Sequence, residues 1–296
     1  MSYDLFMKPR LGTVTREEFL RYFASRAHYE DVGDQAWYRN KDTGVYFVFE
    51  RSDTTPSNAP DSGESEGDLP LSFNINYFRP SFFGKEAEPE VQAFIRQFDL
   101  LVSDPQIGGM GTGEYNSAKF LIGWANGNEF GYRAILQQDS EQALFTAPEL
   151  ELEQIWRWNF KRLEVQAMVG ESHFVPRIFF LNIDGDAKSA VVWPDAIPSL
   201  LPKVAYLVVG RRELAPKRLF RQASDTALIA WWQAERVIRD HSSTTGGGFL
   251  LNYSAPPRDV VELVRSHLPR KEPLQGIAAD AVLDAELVAK HRTAPN

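Results

Sequence analysis

The chain contains no cysteine. Disulfides, thiolate zinc sites, iron–sulfur clusters and a cysteine nucleophile are therefore excluded. Histidine is scarce: His28, His173, His241, His267 and His291 are the five, and none forms a His-Glu-x-x-His pair. His28, His241 and His267 fall near predicted helix C-termini, where an imidazolium suits the helix dipole. Basic residues are in deficit, with 32 Lys and Arg against 40 Asp and Glu, a net charge of −8. That balance argues against nucleic-acid binding, which rests on neutralising phosphates. No apolar run is long enough to span a bilayer. The opening Met1-Ser2-Tyr3-Asp4-Leu5-Phe6 has no basic region followed by a long apolar one, so a signal peptide is not expected and the cytoplasm is the default location. No metal, cofactor, nucleic-acid partner or membrane partner is expected.

Aromatic residues are plentiful, with 20 Phe, 10 Tyr and 7 Trp among 296 residues. A chain of this length can bury a core without covalent staples. Thr15-Arg16-Glu17-Glu18 is a capping box, and Phe19, Tyr22 and Phe23 follow at helical spacing, so a helix is predicted from Glu17 to about Ala27. Gln35 to Tyr38 and Val45 to Phe49 flank a polar turn ending in Gly44 and predict a β-hairpin. Leu71 to Phe78 alternates and predicts a strand, and Pro89 to Leu101 predicts a helix. Ser117 to Trp124 and Phe130 to Leu136 are apolar patches broken by Asn126-Gly127-Asn128, and neither is assigned.

In the second half, Thr146-Ala147-Pro148-Glu149 is a second capping box. It opens a helix whose predicted core face is Leu152, Ile155, Trp156, Phe160, Leu163 and Ala167, with Gly170 as its C-cap. Val175 to Ile183, Asp184-Gly185-Asp186 and Ser189 to Trp193 predict a hairpin, and Val204 to Val209 a buried strand. Helices are predicted over Asp225 to His241, Pro257 to Leu268 and, more weakly, Ala278 to Lys290. Strands and helices do not alternate regularly. The expected class is α+β, with mixed or antiparallel sheets and hairpins packed against amphipathic helices. The halves divide at 1–140 and 141–296, or form one continuous domain.

Catalytic signatures are weak. Gly108-Gly109-Met110-Gly111-Thr112-Gly113 runs into Glu114 where a phosphate loop needs Lys, and reads as a flexible loop or a close backbone contact. Gly170-Glu171-Ser172-His173-Phe174 lacks the final glycine of a nucleophile elbow, and a helix precedes it where a strand should. Asp184 and Asp186 offer two hard oxygen ligands, but Asp-Gly between apolar runs is first a turn signal. No catalytic residue is assigned. The candidates left are for partner binding: Asp61, Glu64, Glu66 and Asp68 of an acidic stretch, Arg79 among four aromatic rings, and Trp158 and Trp232, each the second ring of a helical pair.

Three segments carry a resemblance: Tyr3-Asp4-Leu5-Phe6, Asp42-Thr43-Gly44-Val45-Tyr46-Phe47 and Asn74-Ile75-Asn76-Tyr77-Phe78-Arg79-Pro80. With the acidic balance, the chain resembles the immunity proteins of bacterial polymorphic-toxin, contact-dependent and type VI secretion systems. That resemblance implies a non-enzymatic inhibitor that neutralises a co-encoded toxin by stoichiometric binding. The alternatives are an accessory or structural protein of another partner, and a hydrolase with an unrecognised carboxylate or hydroxyl site.

Ser52 to Leu69 carries five acids and no Lys or Arg, and reads as a mobile loop joining two strands. Loop-closure entropy changes by only about 0.6 kcal/mol per doubling of length. Deleting most of this stretch is therefore expected to leave the thermal midpoint nearly unchanged. A loss of several degrees in a calorimetric scan would show that it packs.

Overall fold

The computed structural model describes residues 1–52, 69–106, 108–138, 143–215 and 225–292. The acidic stretch with Asp61, Glu64, Glu66 and Asp68 lies outside them. The fold is α+β. The described residues form two compact units, one of Met1–Leu152 with Asp280–Asn296, the other of Glu153–Ala279. The division falls inside a helix, after Leu152, and the stretch from Asp280 belongs to the first unit.

The first unit is built on seven antiparallel strands: β1 (Ser2–Pro9), β2 (Tyr29–Glu30), β3 (Gln35–Arg39), β4 (Tyr46–Arg51), β5 (Leu71–Asn76), β6 (Leu100–Asp104) and β7 (Gly111–Gly113). Their spatial order is β2-β3-β4-β5-β1-β6-β7. Alternation sets the faces: Tyr3, Leu5 and Met7 of β1, and Leu71, Phe73 and Ile75 of β5, are buried, and their polar neighbours are not. The predicted hairpin is β3 and β4, in register from Gln35 opposite Glu50 to Arg39 opposite Tyr46.

Helix α1 (Arg16–Ala24) starts at the expected capping box, with the Thr15 hydroxyl accepting from the Glu18 N–H and the Glu18 carboxylate from the Thr15 N–H. It packs Phe19 and Phe23 against Phe94 of α2 (Phe82–Phe98). Burial among these rings pushes the Tyr22 hydroxyl up to about 12. Helix α2 begins seven residues before the predicted start at Pro89, which lies inside it. One missing N–H is tolerated because the apolar face is continuous from Phe82 to Ile95.

The unassigned stretch from Ser117 is one helix, α3 (Ser117–Gln138). Its glycines were misleading as turn signals because they serve a contact. A Cβ at Gly127 would lie 2.1 Å from the Tyr77 hydroxyl, and one at Gly123 3.1 Å from the Tyr3 ring. Gly123, Gly127 and Gly131 share one face at i, i+4, i+8 and let tyrosines of the sheet approach the helix axis. Beside them run Phe120, Trp124, Asn128 and Tyr132, all buried.

The Gly-rich loop is likewise a contact. The Asp104 carboxylate accepts from the Tyr3 hydroxyl at 2.7 Å and from the Gln106 and Met110 N–H groups, and a Cβ at Gly109 would meet it at 2.3 Å. The loop closes over a carboxylate of its own chain.

Strand β8 (Phe145–Ala147) leads into α4 (Glu149–Val169), which crosses into the second unit. That unit has a five-stranded sheet ordered β13-β12-β10-β9-β16 and a three-stranded one ordered β11-β15-β14. The strands are β9 (Ile178–Ile183), β10 (Asp186–Val192), β11 (Leu200–Pro202), β12 (Tyr206–Arg211), β13 (Asp225–Ala230), β14 (Ser242–Thr245), β15 (Gly248–Leu251) and β16 (Gly276–Ile277). Strands β9 and β10 form the predicted hairpin, turning through Asp184 and Gly185 at φ 54° and 91°. Asp225–Ala230 is a strand where a helix start was predicted, because its alternating side chains continue the sheet beside β12. Helix α5 (Trp231–Asp240) follows. Helix α6 (Arg258–Ser266) buries Val260 and Val264, and Leu268 lies past its end and is exposed. Arg211 is fully enclosed, bonded to Asp225 at 2.6 Å and to the Val264 and His267 carbonyls. The described residues end in β17 (Val282–Asp284), parallel to β8 in the first unit, and α7 (Ala285–Arg292).

The indole of Trp124 lies so close to α2 that a Cβ at Gly84 would fall 2.0 Å from its Cδ1. Helix propensity alone would make Gly84→Ala stabilising by about 1 kcal/mol. The clash reverses the sign, and urea denaturation is expected to show a loss of about 1–3 kcal/mol. A stabilised variant would mean that the contact is absent in solution.

Candidate functional site

The first unit contains a buried carboxyl group without a full set of partners. Asp284 ends β17 and is 1% exposed. Its Oδ2 accepts from the Ser81 N–H at 2.9 Å and from the Tyr132 hydroxyl at 3.0 Å. The Asp284 N–H donates back to the Tyr132 oxygen at 3.2 Å. Its Oδ1 is buried with no hydrogen-bond partner. Burial, opposed by the bonds from Ser81 and Tyr132, holds this carboxyl above the usual aspartate range. The Tyr132 hydroxyl is likewise pushed up, first by burial and then by Asp284.

Three segments distant in sequence build this point. Asn128 and Tyr132 sit one turn apart on α3. The Asn128 amide donates to the Arg79 carbonyl at 2.8 Å and accepts from the Arg79 N–H at 3.1 Å, fixing the turn that delivers Ser81. Phe78 in that turn has φ 60°, a left-handed conformation that is costly for an aromatic residue. A cavity of about 250 Å³ opens beside Asp284, lined also by Glu129, Glu149, Lys85 and the Trp124 ring. Glu129 accepts from Lys290 at 2.6 Å and from His291 at 3.2 Å, and chiefly the Lys290 bond lowers its pKa.

In the second unit the notable surface is on α4. The sequence assigned Trp156, Phe160, Leu163 and Ala167 to the core, and the structure corrects this. Leu152 and Ile155 are buried as expected, but Phe160 is 44%, Leu163 61% and Met168 78% exposed, with Ala167 exposed between them. Trp156 is half-buried and packs on Phe160, ring centroids 5.8 Å apart. The helix is held instead by its polar side. Asn159 both donates to and accepts from Ile178 at 2.8 Å, and Gln166 bonds the Gly170 and His173 carbonyls and the Val175 N–H. The segment before β9 has backbone groups to satisfy, and amides satisfy them where apolar side chains cannot.

Of the residues singled out from sequence for partner binding, Arg79, Trp158 and Trp232 are among the described residues. Arg79 in the first unit is committed internally: its guanidinium bonds the Tyr46 hydroxyl at 2.5 and 2.8 Å and the Phe78 carbonyl at 2.9 Å. Trp158 and Trp232 belong to the second unit. The Trp158 indole donates to the Pro176 carbonyl at 2.8 Å and its ring is half-buried, whereas Trp232 is 77% exposed. Asp184 lies in the hairpin turn, and Asp186 pairs with Lys188 at 3.0 Å. Ser172 Oγ lies 2.9 Å from His173 Nδ1, whose Nε2 meets the Leu251 carbonyl at 3.1 Å, so this dyad has a carbonyl where a catalytic triad has a carboxylate. Asp284 was missed because a single acid in a weakly periodic C-terminal stretch shows nothing of its burial. Among the described residues no group of three His, Asp or Glu side chains is placed to hold a metal, and no helix is long and apolar enough to cross a membrane.

Comparison with protein-family models, with curated proteins and with solved structures finds no match to this chain.

The raised carboxyl gives a pH signature. Folding raises the Asp284 pKa above its ordinary 3.8, so the folded chain keeps that proton to a higher pH than the unfolded chain. Its contribution to stability is full below 3.8 and is lost as pH rises through the folded value. Asp284→Asn removes that titration while leaving an oxygen for Ser81 and Tyr132. Denaturation of both proteins between pH 4 and 7 is expected to shift in favour of the variant as pH rises. A pH-independent difference would contradict the assignment.

Proposed function

We propose that this chain is a non-enzymatic inhibitor that binds a protein partner stoichiometrically, and that the partner is a basic toxin encoded beside it. The observation that carries the reading is the α4 stripe of Trp156, Phe160, Leu163, Ala167 and Met168, an apolar row on the outside of a helix whose amides Asn159 and Gln166 point inward. Contiguous exposed apolar surface of this kind marks interaction sites. It also presents the chemistry of an interface core, an aromatic pair continued by Leu and Met. The net charge of −8 supports a basic partner, because opposite long-range fields speed capture. The resemblance to immunity proteins supports a toxin as that partner. Compartment follows from the same reading: an immunity protein against a toxin that acts inside the cell works in the cytoplasm.

The test is co-expression with the product of the adjacent gene. Growth is expected to be rescued by this chain and lost again with Leu163→Asp or Phe160→Asp, exposed positions whose change leaves the circular dichroism spectrum unaltered. The complex is expected at nanomolar affinity, about −12 kcal/mol. Each substitution is expected to weaken it by about 2 kcal/mol or more, as at interface hot spots. A neighbour that is not toxic, or no complex at micromolar concentration, would remove the toxin reading in favour of an accessory role. Unchanged binding by both variants would move the interface away from α4.

A further inference from the structure

A wider cavity of the first unit, of about 620 Å³, lies where α3 meets the start of β1, the end of β5 and the approach to the Gly-rich loop. Cavities of roughly 300–1,000 Å³ are the size that takes small organic ligands. Its use is independent of the inhibitor reading. Two amide side chains converge on its wall. The Tyr77 hydroxyl donates to Gln106 Oε1 at 3.0 Å, and it lies so near Gly127 that a Cβ there would fall 2.1 Å from it. Asn126 precedes Gly127, and its Nδ2 lies 3.8 Å from the place of a Cβ on Gly108, two residues after Gln106. With Oε1 taken by Tyr77, Gln106 has its amide nitrogen left to donate. Asn126 is exposed, and its side chain makes no hydrogen bond among the described residues. One turn further along α3, Phe130 is 51% exposed, and the Arg133 guanidinium lies over its ring, 5.1 Å from the centroid. Arg133 is exposed and makes no hydrogen bond or ion pair among the described residues. The acid of the wall is Asp4, whose two oxygens already accept, Oδ2 from Ser2 at 2.9 Å and Oδ1 from the Asn74 amide. The polar groups left open are therefore mainly donors: the amide nitrogens of Gln106 and Asn126 and the guanidinium of Arg133, against the one carbonyl oxygen of Asn126. Met1, the Tyr77 and Phe130 rings and the bare backbone of Gly123 and Gly127 supply the apolar wall. Open donors beside aromatic surface complement an anion carried on a flat apolar body.

We propose that this cavity binds a small aromatic monocarboxylate, with its carboxylate paired to Arg133, its ring against Phe130, and the amides of Gln106 and Asn126 donating to acceptors at the opposite edge of the ring system. The spacing agrees: the four residues from Asn126 to Phe130 rise about 6 Å along α3, a span that one or two fused rings bridge. A guanidinium is suited to the charged end, because its planar fork pairs with both oxygens of a carboxylate. The Asp4 carboxylate in the same wall disfavours a second negative charge on the ligand, which makes the class a monoanion.

The experiment titrates the whole chain at pH 7 with indole-3-acetate, followed by ligand-observed NMR, with tryptophol and tryptamine as neutral and cationic probes of the same shape. Saturable binding of indole-3-acetate is expected, about tenfold or more tighter than that of either other probe. Arg133→Gln, at an exposed position, is expected to weaken it about tenfold or more, the factor that about 1.4 kcal/mol corresponds to. Phe130→Ala, also exposed, is expected to weaken it severalfold with Arg133 intact, so the ring contact is tested apart from the charge. The source of the carboxylate is read from a second arm with the peptide Gly-Gly-Trp, which carries the same indole beside a free C-terminus. Binding as tight as that of indole-3-acetate assigns a peptide C-terminus as the natural occupant, and weaker binding assigns a free aromatic acid. Tryptophol or tryptamine bound as tightly as indole-3-acetate, undiminished binding to Arg133→Gln, or no saturation up to tens of millimolar would overturn the proposal.

Discussion

Close approach of one helix to one sheet is the constraint on which the first unit depends. Helix α3 can lie against Tyr3 and Tyr77 only because Gly123 and Gly127 present no side chain at the contact. That approach sets the depth at which the neighbouring row, Trp124, Asn128 and Tyr132, enters the interior. Asn128 then clamps the backbone of Arg79, Tyr132 reaches Asp284, and Trp124 settles on Gly84 of α2. A methyl group at one of these glycines would push the helix outward. It would also separate the groups that bring β17 home.

Several carboxylates of the protein gather donors from their own chain. Asp104 gathers the Gly-rich loop, Glu86 accepts from Tyr38, Asn40 and Thr43, and Asp195 Oδ1 accepts from the N–H groups of Arg212, Glu213 and Leu214. Each is a carboxylate with several donors, and for the buried Asp104 and Glu86 that is how burial of charge is made tolerable. Asp284 differs from these by one unpartnered oxygen. In the second unit the departure is apolar: α4 leaves Phe160, Leu163 and Met168 uncovered, side chains that a helix normally hides. The uncovered apolar row is where the proposed function starts.

What could be read in advance was local. The Thr15 capping box, the 35–49 hairpin, the Asp184-Gly185 turn and the Gly170 helix end depend on residues within a few positions of each other, and all are found. The α+β class followed from their order. The α4 stripe was visible as a periodicity, and the Gly108 to Gly113 run as a glycine-rich segment. Their meaning was not. Periodicity says which residues share a face, and glycine says that space or φ is at a premium. Neither says what lies opposite. Phe160 and Leu163 were assigned inward because apolar faces usually are, and the demand of the 173–178 backbone for amide partners turned the helix the other way. The start of α2 and the strand at Asp225 were missed for a related reason: tertiary partners outweighed a proline and a helical pattern.

The amino-acid sequence by itself determined the absence of thiol chemistry, the acidic balance, the aromatic core composition and the positions of caps and turns, since these are properties of composition and of near neighbours. Only the tertiary structure decided which carboxylates are satisfied and which apolar rows are covered. Asp284 meets Ser81 across more than two hundred residues and Tyr132 across more than one hundred and fifty. Burial and hydrogen-bond completion depend on that distant pairing, and no local pattern in the sequence encodes it.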